Sequence, residues 1–343
     1  MRRLLNTLFI TTEDAYAALD GENVTIKRAE EVTARFPLHT LEAIISFSYA
    51  GASPALMGAC AEKNVSLTFC TPNGRFLARS CGKSKGNVLL RKAQYRFSDS
   101  EEKSCEIAKC FLFGKVYNSR KSLERTLRDH SMRVNTEKFT SASTTLKQLL
   151  PSILEARTLE ELRGLEGTAA SNYFSCLDEM ILSDKKNFFF GGRNRRPPLD
   201  RMNAILSFTY TLLGSNCASA LEAAGLDAYV GFLHRDRPGR TSLALDLMEE
   251  LRPCFADRFS LSLINNRIIT ANDFTFQENG AVLLNDDARR TVLQHWQKRK
   301  SEIILHPYLD EKMPWGLIPY AQALLLARYL RGDLDAYPPF LWR

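Results

Sequence analysis

The spacing of apolar residues changes once along this chain, near residue 85, and such a change divides a chain into a β-rich part and a helical part. Ahead of it, "NTLFI", "AYAAL", "NVTIKR", "ARFPL", "AIISFS", "VSLTFC" and "RFLARS" are short and rich in β-branched and aromatic residues, as strands are. Turn signals separate them: Asp20-Gly21 between two strand candidates, and Pro72-Asn73-Gly74 before the last. One insert, "SPALMGACAEKN", reads as a helix with Pro54 near its start, where proline is tolerated. Residues 1–85 are therefore expected to form a small antiparallel β-rich domain.

"SCGKSKGN", Ser80 to Asn87, has two Gly, two Lys and no apolar pattern, and reads as a linker. Beyond it, "EIAKCFLFGKVYNSRKSLERTLRD", "TTLKQLLPSILEA", "TLEELRGLEGTAASNYFSCLDEMIL", "RMNAILSFTYTLLGSNCASALEAAG" and "IPYAQALLLARYLRG" repeat apolar residues at intervals of three and four. The fold class expected is α+β: the β-rich domain, then a larger all-α domain over residues 86–343. At 343 residues, 45% hydrophobic and 25% charged, the chain has material for two cores. No apolar run reaches the ~18 residues of a membrane span, and "MRRLLNTLFITTEDAYAALDG" makes a poor signal peptide, so a cytoplasmic protein is expected. None of the eight Cys pairs at the two-residue gap of a zinc knuckle, which favours buried thiols over a metal site or disulfide framework.

The formal net charge of +7 favours polyanions, but its distribution matters more. In "DKKNFFFGGRNRRPPLDRMNAILSF", Lys185, Lys186, Arg193, Arg195, Arg196 and Arg201 have only Asp184 and Asp200 as counter-charges. Cations so concentrated need water or anions. The segment is either a solvated loop or a phosphate-binding one, and Phe188 to Phe190 either stack on bases or anchor it to the core.

A second constellation is "GFLHRDRPGRTSLALDLMEELRP". His234 precedes a turn bearing Arg235, Arg237 and Arg240, marked by Pro238-Gly239. In the helix that follows, Asp246 and Glu249 are three apart and so are neighbours on one face, with Glu250 four from Asp246. Such like charges either form a solvated acidic face or gather around a cation. Glu166, at the edge of the stripe Leu162, Leu165, Ala169 and Tyr173, is either a partly buried ligand or the polar margin of its helix. One imidazole with several carboxylates suits Mg²⁺ or Mn²⁺ better than a thiolate-preferring metal.

Five segments resemble the CRISPR-associated adaptation integrase/endonuclease family, Cas-one: "GNVLLRKAQYRF", "LRGLEGTAASNYF", "RRPPLDRMNAILSFTYTLL", "GLDAYVGFLHRDRPGRTSLALDLMEELRP" and "YPPFLWR". They occur in the family's order, and length and tail look like its type I-C branch. The resemblance implies Glu166, His234 and Glu249 as metal ligands for Mg²⁺ or Mn²⁺. It places Asp246 at a further acidic position near the metal, as a supporting member of the catalytic set. It implies that the basic turn and basic loop hold DNA. It further implies spacer acquisition: the 3′-hydroxyls of short foreign double-stranded fragments attack phosphodiesters at the leader end of a CRISPR repeat. The family works as a homodimer, with the first domain expected to dimerise, and in complex with the small partner Cas-two. Two rivals stay open at this point: a general metal-dependent DNA nuclease using water in place of the hydroxyl, and a non-catalytic scaffold that holds fragment ends.

Overall fold

The computed structural model describes residues 6–12, 14–29, 31–72, 76–80, 82, 88–194 and 197–343. The Asn73-Gly74 half of one expected turn, most of the expected linker, and Arg195 and Arg196 lie outside the described residues. The chain divides into two compact units.

Among the described residues, the first unit holds seven strands in two sheets. β2 (Tyr16–Asp20), β3 (Asn23–Arg28) and β4 (Glu31–Pro37) form an antiparallel meander. Gly21 opens the two-residue β2–β3 loop at φ +59, the positive φ that primed hairpin turns require. The second sheet has the order β1 (Thr7–Ile10), β5 (Ala43–Ser46), β6 (Ser66–Cys70) and β7 (Phe76–Ser80). Its first two pairings are parallel and only β6–β7 is antiparallel, which corrects the expectation of an all-antiparallel domain. The physical reason is the helical insert. α1 (Pro54–Lys63), capped by the Ser53 side chain, is the crossover that a parallel β5–β6 pair needs. Val24, Ile26, Ile44, Leu56 and Leu67 belong to the buried core of this unit.

Apolar periodicity set a boundary at 85/86, and the compact unit containing residues 1–85 also takes in Leu284–Glu302 and Pro314–Leu317. Lys300, on the late helix Asp286–Ser301, donates to Thr7 Oγ1 (3.1 Å) and lies 3.8 Å from Glu42. No local pattern marks a helix for docking so far back along the chain.

The second unit is helical. α2 (Val88–Asp99), α3 (Glu101–His130), α4 (Thr136–Glu155), α5 (Leu159–Leu177) and α6 (Arg201–Ala223) precede a loop and α7 (Ser242–Leu251). α7 runs into a π-helical turn, Arg252–Asp257, and then α8 (Arg258–Asn265). α9 is the late helix Asp286–Ser301 of the first unit, and α10 spans Ile318–Leu330. Two short hairpins, β8–β9 (Phe274–Phe276, Val282–Leu284) and β10–β11 (Ile303–Leu305, Lys312–Pro314), interrupt the helical pattern; three-residue strands are too short to leave a period in the sequence. α3 is the scaffold: its 30 residues span about 45 Å at 1.5 Å per residue. Phe111, Leu112, Val116 and Leu123 bury its inner face, and it packs on α4, α5 and α7.

Candidate active site

His234 sits in the loop between α6 and α7, in a backbone path that leaves no room at Gly231. A Cβ there would lie 2.8 Å from the His234 carbonyl and 2.8 Å from Ser242 Cβ. α2 grips this loop: Gln94 Nε2 donates to the Asp227 and Val230 carbonyls (2.8 and 2.9 Å), and its Oε1 accepts from Asp227 N (2.9 Å). Past the imidazole, Arg237-Pro238-Gly239-Arg240 closes with Arg240 N donating to Arg237 O (3.0 Å) and Gly239 at φ +74. Proline second and glycine third is the sequence of a type II turn.

Asp246 is fully buried, and its helix delivers the carboxylate to the loop. It accepts the backbone N–H groups of Phe232 (2.7 Å), Leu233 (3.0 Å) and His234 (2.9 Å), and its Oδ1 lies 2.6 Å from His234 Nδ1. That contact places the imidazole proton on Nδ1 and turns Nε2 towards Glu249 Oε1, 4.0 Å away. Burial pulls the His234 pKa down, but the hydrogen bond and charge of Asp246, and then Glu249, outweigh it and raise the value above the ordinary one.

Glu249 is also fully buried. Its Oε2 lies 2.9 Å from Lys115 Nζ and its Oε1 2.8 Å from Arg252 Nη1. Burial pushes its carboxyl up, yet Arg252, Lys115 and His234 together hold it down at about 2. Lys115 reaches from α3 to Glu166 on α5 as well, with Nζ 2.7 Å from Glu166 Oε1. Burial opposes its charge, but Glu249 and Glu166 raise its pKa.

Among the described residues, no three His, Cys, Asp or Glu side chains close into a metal cage; Lys115 Nζ bridges the two carboxylates. The donor set nevertheless fits a hard divalent cation. Both Glu249 oxygens are buried without an aligned hydrogen bond, met only by ion-pair contacts. The imidazole has a carboxylate behind it, as metal-ligating histidines commonly do.

In front of the cluster, Arg163, Glu166, Leu233, His234, Arg235, Arg237 and Arg240 line a cleft of about 380 Å³. Arg235 and Arg237 are exposed. Arg163 lies three residues before Glu166 on α5, and its buried Nη2 makes no hydrogen bond.

The basic segment 184–201 is placed differently. Phe188 packs edge-on against Phe274 and Phe190 stacks on Phe174, so both anchor the loop, while Phe189 is exposed. Arg193 donates to Asn203 Oδ1 (2.7 Å) and Ser207 Oγ (3.3 Å) and lies over the Tyr210 ring. Arg201 donates to the Asn187 carbonyl (2.9 Å) and lies over Phe276. Lys185 pairs with Asp178 at 3.2 Å; Lys186 is exposed.

The acidic triplet on α7 is thus no solvated face: Asp246, Glu249 and Glu250 are all 0% exposed. Glu250 points away from Glu249, towards Tyr337 and Gln322. The residues alone show that Arg252 offsets part of the repulsion on α7, as its contact with Glu249 does; Lys115, Arg163 and Gln94 were missed. Arg163 was findable, one helical turn from the candidate carboxylate Glu166. Lys115 and Gln94 carry no local signal, since both meet the site across long sequence separations.

The family model for "CRISPR associated protein Cas1" matches residues 8–298. A "CRISPR-associated endonuclease Cas1 1" of Chlorobaculum tepidum is 49% identical over 343 residues, covering 100% of both chains. A "CRISPR-associated endonuclease Cas1 2" of Rhodospirillum rubrum is 48% identical over 347 residues, again covering 100% of both. Among solved structures, a casposase bound to integration product aligns with a TM-score of 0.83 at 24% identity, covering 98% of this chain and 94% of that one. A Cas1 protein from Thermotoga maritima aligns with a TM-score of 0.80 at 21% identity, covering 97% and 99%. These structural likenesses establish the shared fold.

Proposed function

The chain belongs to the CRISPR-associated Cas1 family, and on that premise we propose that it joins short DNA fragments to a CRISPR array by metal-dependent transesterification. The observation that carries this reading is the convergence of Glu166, His234 and Glu249 behind a cleft lined by four arginines.

In this reading Glu166, Glu249 and His234 Nε2 hold Mg²⁺ or Mn²⁺. When bound, such an ion polarises the scissile phosphate and lowers the pKa of the attacking 3′-hydroxyl. The chain's own residues do the rest. Asp246 fixes the imidazole so that Nε2 faces the site. Arg163, Arg235, Arg237 and Arg240 neutralise phosphates and hold the backbone of a double-stranded fragment against the cleft, with little reading of its sequence. Arg252 and Lys115 keep Glu249 ionised.

The reading extends to a homodimer assembled with Cas2, working in the cytoplasm on the leader end of a repeat. "YPPFLWR" supports placement in the type I-C branch. The test combines the purified chain, Cas2, a labelled fragment with 3′-hydroxyl ends and a plasmid-borne array. Fragment joined to the repeat is the expected product. Shortened DNA alone would identify a general nuclease, and binding with neither product a scaffold.

A further inference from the structure

The segment Tyr337–Trp342 meets the active-site helices at the residues adjoining Glu249 and Lys115. Glu250 follows Glu249 directly. Its Oε1 accepts from Tyr337 Oη (2.6 Å), and its Oε2 from Phe340 N (2.7 Å) and Gln322 Nε2 (2.9 Å). Gln322, on α10, also donates to Tyr337 Oη (2.7 Å), and its Oε1 lies 3.0 Å from His306 Nε2. Asn118 of α3 joins helix to segment: its amide nitrogen donates to the Glu250 and Phe340 carbonyls (both 2.7 Å), and its oxygen accepts from Trp342 N (2.8 Å). Glu250, Gln322, Asn118 and Phe340 are all 0% exposed.

Gly114 directly precedes Lys115, and segment and helix approach closely there. A Cβ there would lie 3.0 Å from Glu250 Cγ and 3.2 Å from Pro339 Cβ. The backbone between these contacts has unusual need of support. Pro253 has no N–H to give the Glu249 carbonyl four residues earlier, and the ladder becomes π-helical from Arg252 onward. The regular α-helical ladder is therefore interrupted just after the residue whose side chain faces the site, and the contacts to Glu250 brace that stretch.

We propose that Tyr337–Trp342 is a positioning element of the active site, which sets the spacing between Lys115 on α3 and Glu249 on α7 by gripping Gly114, Asn118 and Glu250. It rests on the reading of Glu166, His234 and Glu249 as the ion-holding set. The segment touches no reacting atom; it acts through Glu250 and α3. Loosening it lets Glu249 drift relative to Glu166, so the ion loses a well-placed donor while the arginine-lined cleft keeps its shape.

Two full-length variants test this, with Mn²⁺ affinity measured by calorimetry, kcat and KM for fragment joining, and thermal stability. Tyr337→Phe removes the hydroxyl that donates to Glu250 but keeps the ring against Phe111. Gly114→Ala pushes Glu250 and Pro339 off α3. Each is expected to weaken Mn²⁺ binding roughly three- to tenfold, below the 10–100-fold of a direct outer-shell loss, and to lower kcat while KM for DNA stays within about twofold. If both variants only lose thermal stability, with Mn²⁺ affinity and kcat as in the unmodified protein, the segment is merely structural and the proposal is overturned. Glu249→Gln separates the two readings. If it binds Mn²⁺ normally, the ion-holding set itself is wrong. If it loses Mn²⁺ while Tyr337→Phe and Gly114→Ala keep it, only the positioning role fails.

Discussion

Lys115 Nζ lies 2.7 Å from Glu166 and 2.9 Å from Glu249, so one ammonium on α3 ties together carboxylates from two other helices. A cation bound between those carboxylates competes with that ammonium. Lys115→Met should cost the metal-free protein roughly 3–5 kcal/mol, the usual result of breaking a buried ion pair from one side. Mn²⁺ should then raise its melting temperature more than it raises that of the unmodified protein. An equal or smaller rise would show that the two carboxylates do not share an ion.

The proposed ligands separate from their support by magnitude. Glu166→Gln, His234→Ala and Glu249→Gln should each reduce joining by at least about a hundredfold, beyond the 10–100-fold typical of outer-shell changes. Normal joining in any one of them, in Mg²⁺ or Mn²⁺, removes that residue from the set.

Asp246→Asn should behave as a support. An amide replaces one carboxylate oxygen with a donor, and the backbone N–H groups of Phe232, Leu233 and His234 cannot all be satisfied. Each buried N–H left alone costs about 1–3 kcal/mol. Mn²⁺ affinity should fall roughly 10–100-fold without vanishing. Retained full affinity in calorimetry would mean that His234 needs no carboxylate behind it.

The arginines divide into two groups that salt dependence distinguishes. Arg237→Ala and Arg240→Ala should weaken DNA binding for every sequence tried. Each should flatten the log–log salt slope by roughly 0.7–0.9 units for every phosphate it no longer neutralises. Arg193→Ala should instead lower the melting temperature, because its guanidinium is tied to Asn203 and Ser207. A flattened salt slope with unchanged melting in Arg193→Ala would reverse that division.

Asp257 supplies a pH test away from the proposed ligands. Burial pushes its carboxyl up to about 6, although the Tyr210 and Tyr173 hydroxyls donate to it at 2.6 and 3.0 Å and Arg252 and Arg193 add favourable charge. The folded state therefore holds this proton more tightly than the unfolded one, whose value is near 3.8. The stability it contributes is fully present below that lower value and is lost as pH rises through about 6, by roughly 3 kcal/mol at most. Asp257→Asn should remove this component, so the melting-temperature difference between the two proteins should change across pH 4 to 7. A constant difference over that range would refute the shift.

Much of this was legible from the residues. Strand composition located the seven strands among the described N-terminal residues, and the Asp20-Gly21 signal marks a hairpin in fact. Strand direction was misread although the insert was read as a helix: that helix is the crossover that makes β5–β6 parallel. In the site, the loop around His234 and the acid-bearing α7 stood out, since turn chemistry and helical spacing are local. Which way each acid points was not visible. Asp246, Glu249 and Glu250 are nearly adjacent in sequence, yet they face a backbone loop, two cations and a distant segment in turn. Arg193 likewise read as a free cation because its partner Asn203 lies a helix start away.

Thr7 and Lys300 stand 293 positions apart and share one hydrogen bond inside the first unit. Translation runs at roughly 5–20 residues per second, so the strands made first wait roughly 15–60 s for the helix that joins their unit. A fragment ending at residue 85 waits indefinitely. Its sheets lack Lys300 beside Glu42 and Arg290 beside Thr11. Dividing this protein into separately expressed halves therefore requires carrying residues 284–302 with the strands, and a permuted chain that encodes that helix next to β1 would shorten the wait.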